Sequence, residues 1–210
     1  MYDIIGDIHG QYAKLEALLT KLQYVNKDEI WTPPNGRKAV FLGDLIDRGP
    51  EQIKVLESVK AMCDAGYAHC IMGNHELNAI GYATPHPARP GNFVRANNAR
   101  NLAQHKEFLE QVGEGSAAHG AWIEWFKTLP IYLDLGGIRV VHAWWHEPHI
   151  ETLHRHDIKA GALSQQQVVQ ALCKHRLHEV YYALEGLCKG LEIRLPDGLS
   201  FTDRTGNVRV

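Results

Sequence analysis

AVFLGDLIDRGP, Ala39–Pro50, decides how the rest of the chain is read. The apolar run Ala39-Val40-Phe41-Leu42 has the length and composition of a buried strand. It stops at Gly43, and Asp44, Asp47 and Arg48 follow at once. Gly49-Pro50 then break the strand and open a helix, with proline near its first turn. Charge crowded at the end of a buried strand is costly unless something compensates it. In open α/β sheets the carboxyl ends of strands are also where ligands bind. The compensation these residues suggest is a metal ion.

Three other stretches make the same move. Tyr2-Asp3-Ile4-Ile5 leads into Gly6-Asp7-Ile8-His9-Gly10, His69–Met72 into Gly73-Asn74-His75-Glu76, and Ile138–Val141 into His142. Four strand ends would thus deliver Asp7, His9, Asp44, Asn74, His75 and His142 to one edge of a sheet. Carboxylate, imidazole and amide oxygen suit a divalent cation such as manganese, iron or zinc. Asp7 and His9, two apart, share one side of an extended segment. Asp44 has two oxygens and can bridge a pair of cations about 3.5–4 Å apart. Asp7 alone reads equally well as a helix cap. With 13 histidines in the chain, one histidine says little. The weight lies in the four blocks together.

The blocks GDIHG (6–10), GDLIDRG (43–49), GNHE (73–76) and VVHA (140–143) resemble the signature of the calcineurin-like metallophosphoesterases. The GDxxDRG and GNHE forms are similar to the phosphoprotein phosphatase branch, which holds serine/threonine phosphatases and bacterial diadenosine tetraphosphatases. The resemblance covers residues 1–143. It implies two divalent cations, manganese first, with iron, zinc or nickel as alternatives. Asp7 and His9 would hold one, Asn74 and His142 the other, and Asp44 both. A hydroxide between the metals would attack phosphorus. His75 would protonate the leaving group, Asp47 would orient His75, and Arg48 would grip phosphate oxygens. Glu76 stays open between a supporting role and a helix-start charge. The implied fold is an α/β four-layer α-β-β-α sandwich with two mixed sheets. Residues 1–150 would form its core, and 151–210 a helical segment plus short strands that complete it or are appended to it. The implied function is metal-dependent hydrolysis of a phosphomonoester (phosphoserine, phosphothreonine or a small molecule) or of a dinucleoside polyphosphate. The alternative is a degenerate relative that binds a phosphate ligand or a partner protein without catalysis. One departure motivates that alternative. The family completes its second metal with a histidine in a downstream Gly-His pair, and no Gly-His follows position 142. His146 is the nearest substitute; His149, His154, His156, His175 and His178 stand in no matching context.

Composition sets wider bounds. A chain of 210 residues, 45% hydrophobic and 22% charged, fits one globular domain. A net charge of −2 gives no electrostatic case for nucleic acid, and no apolar run approaches a membrane span. With no signal peptide at the N-terminus and four cysteines without CxxC spacing, a cytoplasmic protein with reduced thiols is expected. The expected partners are a phosphorylated protein or a nucleotide-type small molecule. Periodicity predicts helices over 11–24 (Leu15, Leu18, Leu19 and Leu22 inward), 51–65, 98–112 and 117–129, and one long helix over Ser164–Leu187. Ala83–Ala96, with three prolines and no period, reads as a loop over the site. Gly136-Gly137 reads as a hairpin turn.

Overall fold

In the computed structural model, residues 1–158, 163–173, 178–191, 193, 195–202, 206 and 208–209 are described. The first half alternates strand and helix. β1 (Tyr2–Ile5) leads through α1 (Tyr12–Lys21) and the hairpin β2 (Val25–Lys27)–β3 (Ile30–Thr32) to β4 (Lys38–Phe41). From β4 the chain passes through α2 (Gln52–Asp64) to β5 (Ala68–Cys70). Helical connections of this length bring successive strands together in parallel. The sheet order is β1-β4-β5, with Ile5 opposite Phe41 and Phe41 opposite Cys70. Ala39, Val40 and Phe41 of the central strand are wholly buried, as a continuous apolar run between helices should be.

The second half is mostly helical: α3 (Asn74–Ala83), α4 (Ala99–Val112) and α5 (Ala117–Thr128), then the antiparallel pair β6 (Tyr132–Asp134)–β7 (Arg139–Val141). α6 (Glu147–Arg155), α7 (Gln165–Leu172), α8 (His178–Lys189) and the short pair β8 (Phe201–Thr202)–β9 (Val208–Arg209) follow. Val168, Ala171, Val180, Leu184 and Leu187 of α7 and α8 join the same apolar cluster as Phe41, Leu56, Phe108 and Phe126. No helix among the described residues is long and apolar enough to cross a membrane.

The α/β class is the one expected from the sequence. Among the described residues the strands form one three-stranded parallel sheet and three antiparallel pairs. The span 164–187 is two helices rather than one, because the chain leaves helical geometry at Cys173 (φ −81°, ψ 101°). Leu18 is 38% exposed rather than inward, while Leu15 and Leu19 carry the buried face of α1. Asn74 and His75 open a helix rather than end a strand. The Glu76 carboxylate, in the first turn of α3, accepts the Gly73 N–H (2.9 Å) and so starts it.

Candidate metal centre

The loops after β1, β4 and β5 are joined through their backbones. The N–H groups of Ile8 and His9 donate to Asp44 O (3.1 and 2.9 Å), and that of Gly10 donates to Leu45 O (2.8 Å). Gly43 (φ +88°) lies so close to the third loop that a Cβ there would stand 2.2 Å from Gly73 N. Of the eight non-glycine residues with positive φ among those described, His9, Asp44, Asp47 and Arg48 all belong to these loops. Left-handed backbone costs free energy and is retained where surrounding structure enforces it, often at functional sites. His9 therefore meets Asp7 across a turn, not along the extended segment expected.

Asp44 is the shared group. Ligand atoms of Asp7, Asp44 and His142 lie within 4.8 Å of one another, and so do those of His9, Asp44 and His75. His9 Nδ1 donates to Ile46 O (2.8 Å), and His142 Nδ1 to Leu42 O (2.6 Å). A carbonyl only accepts, so in both rings the Nε2 lone pair is left facing the carboxylates, an orientation common among metal-binding histidines. His9 Nε2 is 3.6 Å from Asp7 Oδ2 and 3.7 Å from Asp44 Oδ2, and His142 Nε2 is 3.6 Å from Asp44 Oδ2. His9 Nε2 is buried with no hydrogen-bond partner among the described residues. Burial, foremost, lowers the pKa of this imidazole and favours the neutral form that ligates. Asn74 stands next to Gly73, whose backbone packs on Asp44.

His75 is tied to a second carboxylate. Its Nδ1 is 2.5 Å from Asp47 Oδ2, its backbone N–H donates to Asp44 Oδ1 (2.9 Å), and Arg48 Nη2 is 3.3 Å from its Nε2. Burial alone would lower the His75 pKa. The bond to Asp47 and the charges of Asp44, Asp47 and Glu76 outweigh it and raise the value. Glu76 is fully buried and accepts the N–H groups of Asp44, Leu45 and Gly73 at 2.8–2.9 Å. Burial, then the charge of Asp44, pushes it up to about 7. Glu76 thus starts α3 and also holds the two loops.

The structure brings Asp7, His9, Asp44, Asp47, Arg48, His75 and His142 to one place, and Asn74 adjoins them in the chain at the first position of α3. It does not bring His146. That ring stacks on Trp144 (4.1 Å) and meets His149 (4.3 Å). His154 pairs with the Tyr132 hydroxyl (2.5 Å), and His156 with Glu179 (2.6 Å). His175 lies outside the described residues, as does the His178 side chain. One buried partner escaped the sequence reading: His105 of α4, whose Nδ1 donates to Asp47 Oδ1 (2.7 Å). Its only sequence signal is its phase, one position on the buried stripe His105, Phe108, Leu109, Val112. A cleft of about 410 Å³ opens beside the centre between Asp7, His9, Lys14, Leu18 and Arg48.

Residues 2–182 match the sequence model of the Calcineurin-like phosphoesterase family. The chain belongs to that family. Among calcineurin-like relatives, the bis(5'-nucleosyl)-tetraphosphatase PrpE [asymmetrical] of Bacillus subtilis (strain 168) is 33% identical over 144 residues, 68% of this chain and 57% of that protein. The bis(5'-nucleosyl)-tetraphosphatase, symmetrical, of Photorhabdus laumondii subsp. laumondii is 43% identical over 79 residues, 37% of this chain and 25% of that protein. The match thus spans little more than half of the first relative and a quarter of the second. Among solved structures, the cold-active protein-tyrosine phosphatase of a psychrophilic Shewanella sp. aligns with a TM-score of 0.47 at 23% identity, over 76% of this chain and 49% of that one.

Proposed function

We propose that the chain is a metal-dependent hydrolase that cleaves a phosphoanhydride of a dinucleoside polyphosphate. The observation that carries the proposal is Asp44, one carboxylate common to two clusters of ligand atoms. The Nε2 of His9, without a hydrogen-bond partner among the described residues, and the oxygen- and nitrogen-rich donor set fit a divalent cation. Asp7, His9 and Asp44 would hold one ion, and Asp44, Asn74 and His142 a second, a division that takes Asp7 from the cluster it shares with His142 and leaves His75 of the other cluster free to act as acid. Bound there, such ions acidify water and neutralise charge on phosphoryl oxygens. His75, kept protonated by Asp47, delivers its proton to the departing phosphate oxygen as water becomes bonded to phosphorus. Arg48 offers two parallel N–H groups to the remaining oxygens. The substrate class comes from the relatives, two bis(5'-nucleosyl)-tetraphosphatases. A phosphomonoester is the second reading, favoured by the exposure of Arg48 and its cleft to solvent.

The first test is metal content and turnover of diadenosine tetraphosphate. Saturation with manganese and removal of the excess should leave two ions per chain, and ATP plus AMP or two ADP should form. Asp44→Asn should abolish turnover and leave the chain folded. His75→Ala should slow turnover and spare both ions. Loss of metal from His75→Ala would show that His75 is a ligand and not the acid. One ion per chain with no turnover would bring forward a non-catalytic phosphate-binding protein.

A further inference from the structure

Arg95 lies in the segment between α3 and α4, which folds back on α3: its backbone N–H donates to Gly81 O, and that of Val94 to Thr84 O, both at 2.9 Å. The guanidinium is held by two neutral amides, Nη1 on Asn78 Oδ1 (2.6 Å) and Nη2 on Gln104 Oε1 (3.0 Å). Among the described residues it has no carboxylate partner at ion-pair distance. Burial lowers its pKa from the ordinary arginine range, opposed by the charges of Asp47 and then Glu185. A half-buried cation, fixed by neutral oxygens and with donors to spare, is prepared for an anion.

Arg95 lines a cavity of about 310 Å³ with His86, Arg89, Phe93, Tyr181 and Lys189, a size in the range of small-molecule sites. Among the described residues the one acid in its wall, Glu185, is already paired with Lys189. Cationic groups sit beside two aromatic rings, the combination a nucleotide needs. Asn78 links this cavity to the metal centre, one helical turn, or about 6 Å, along α3 from Asn74.

We propose that this cavity receives the polyphosphate–nucleoside arm of the substrate beyond the phosphorus under attack, with Arg95 gripping its phosphates. The inference rests on the hydrolase reading above, so its test is binding without metal. ATP is titrated calorimetrically into the full chain in EDTA. Saturable binding is expected, weakened about tenfold to a hundredfold by Arg95→Ala, the loss for a charge-assisted contact. Arg95→Lys should fall between. Arg89 is exposed, so Arg89→Ala should fold normally and weaken binding severalfold, which keeps the test valid if Arg95→Ala does not fold. Lys54→Ala, on α2, is the control. Absence of saturable binding, or equal binding by wild type, Arg95→Ala and Arg89→Ala, overturns the proposal. Arg95-dependent ATP binding in a chain that never hydrolyses diadenosine tetraphosphate supports the subsite and refutes the catalytic reading. Hydrolysis with binding indifferent to Arg95 does the reverse.

Discussion

Asp47 receives a histidine at each oxygen: His75 at 2.5 Å and His105 at 2.7 Å. A carboxylate held on one side can swing; held on both it fixes the ring it serves. Groups that orient a reacting side chain from behind typically matter about tenfold to a hundredfold. His105→Ala should therefore lower kcat by about tenfold and leave KM in place, while His105→Asn, which keeps a donor near Nδ1, should recover most of it. Steady-state kinetics on diadenosine tetraphosphate separates these outcomes; equal loss in both variants would make His105 a packing residue only. Far from the centre, Asp3 of β1 accepts from Arg37 Nε (2.8 Å), a second Arg37 nitrogen and the Tyr24 hydroxyl (3.0 Å). The bond to Arg37 holds the Asp3 carboxyl below its usual range of about 3.8. A lowered folded-state pKa stabilises the fold above the unfolded value, and that stability is lost as pH falls through the folded one. Below about pH 4 wild-type stability should drop, and Asp3→Asn should flatten the slope in urea melts taken from pH 5 to 2.

The elements show which parts of the molecule the sequence could announce. Three of the four strand-end blocks, GDIHG, GDLIDRG and GNHE, were legible because each carries a turn glycine and its polar groups within a few positions, whereas VVHA offers His142 alone. Gly43 is the clearest case: φ is +88°, and the adjacent loop leaves no room for a Cβ. Gly43→Ala should cost about 2–4 kcal/mol in a urea melt, from backbone strain and displacement of Gly73; a cost under 1 kcal/mol would mean the loops are not locked. Other elements gave no such signal. The β2–β3 turn uses Asp28 and Glu29, both left-handed (φ 49° and 67°), and glutamate is no turn marker. The break between α7 and α8 falls in a run without glycine or proline, so periodicity alone merged them. His105 and Arg95 sit outside every motif and reach their partners only through packing of α4 and of the segment before it, which local sequence does not encode.

Across the whole molecule, the C-terminal helices are part of what holds the centre. Leu187 of α8 is wholly buried, its carbonyl accepts the Ala143 N–H (3.0 Å) next to His142, and Cys188 lies against Met72 O just before Gly73. We read α6, α7 and α8 as completing the core rather than hanging from it. Leu187→Ala should cost about 2–5 kcal/mol by cavity formation and weaken manganese binding with it. Unchanged metal affinity at reduced stability would separate α8 from the centre.

The bond from His142 to Leu42 O joins residues 100 positions apart, whereas Asp7, His9, Asp44, Asn74 and His75 all lie within the first 76. Pairing of nearby strands through α1 and α2 closes short loops, and short loops close fast. One hydrogen bond across 100 positions thus ties the hairpin that ends at His142 to loops whose other site residues all come from the first 76.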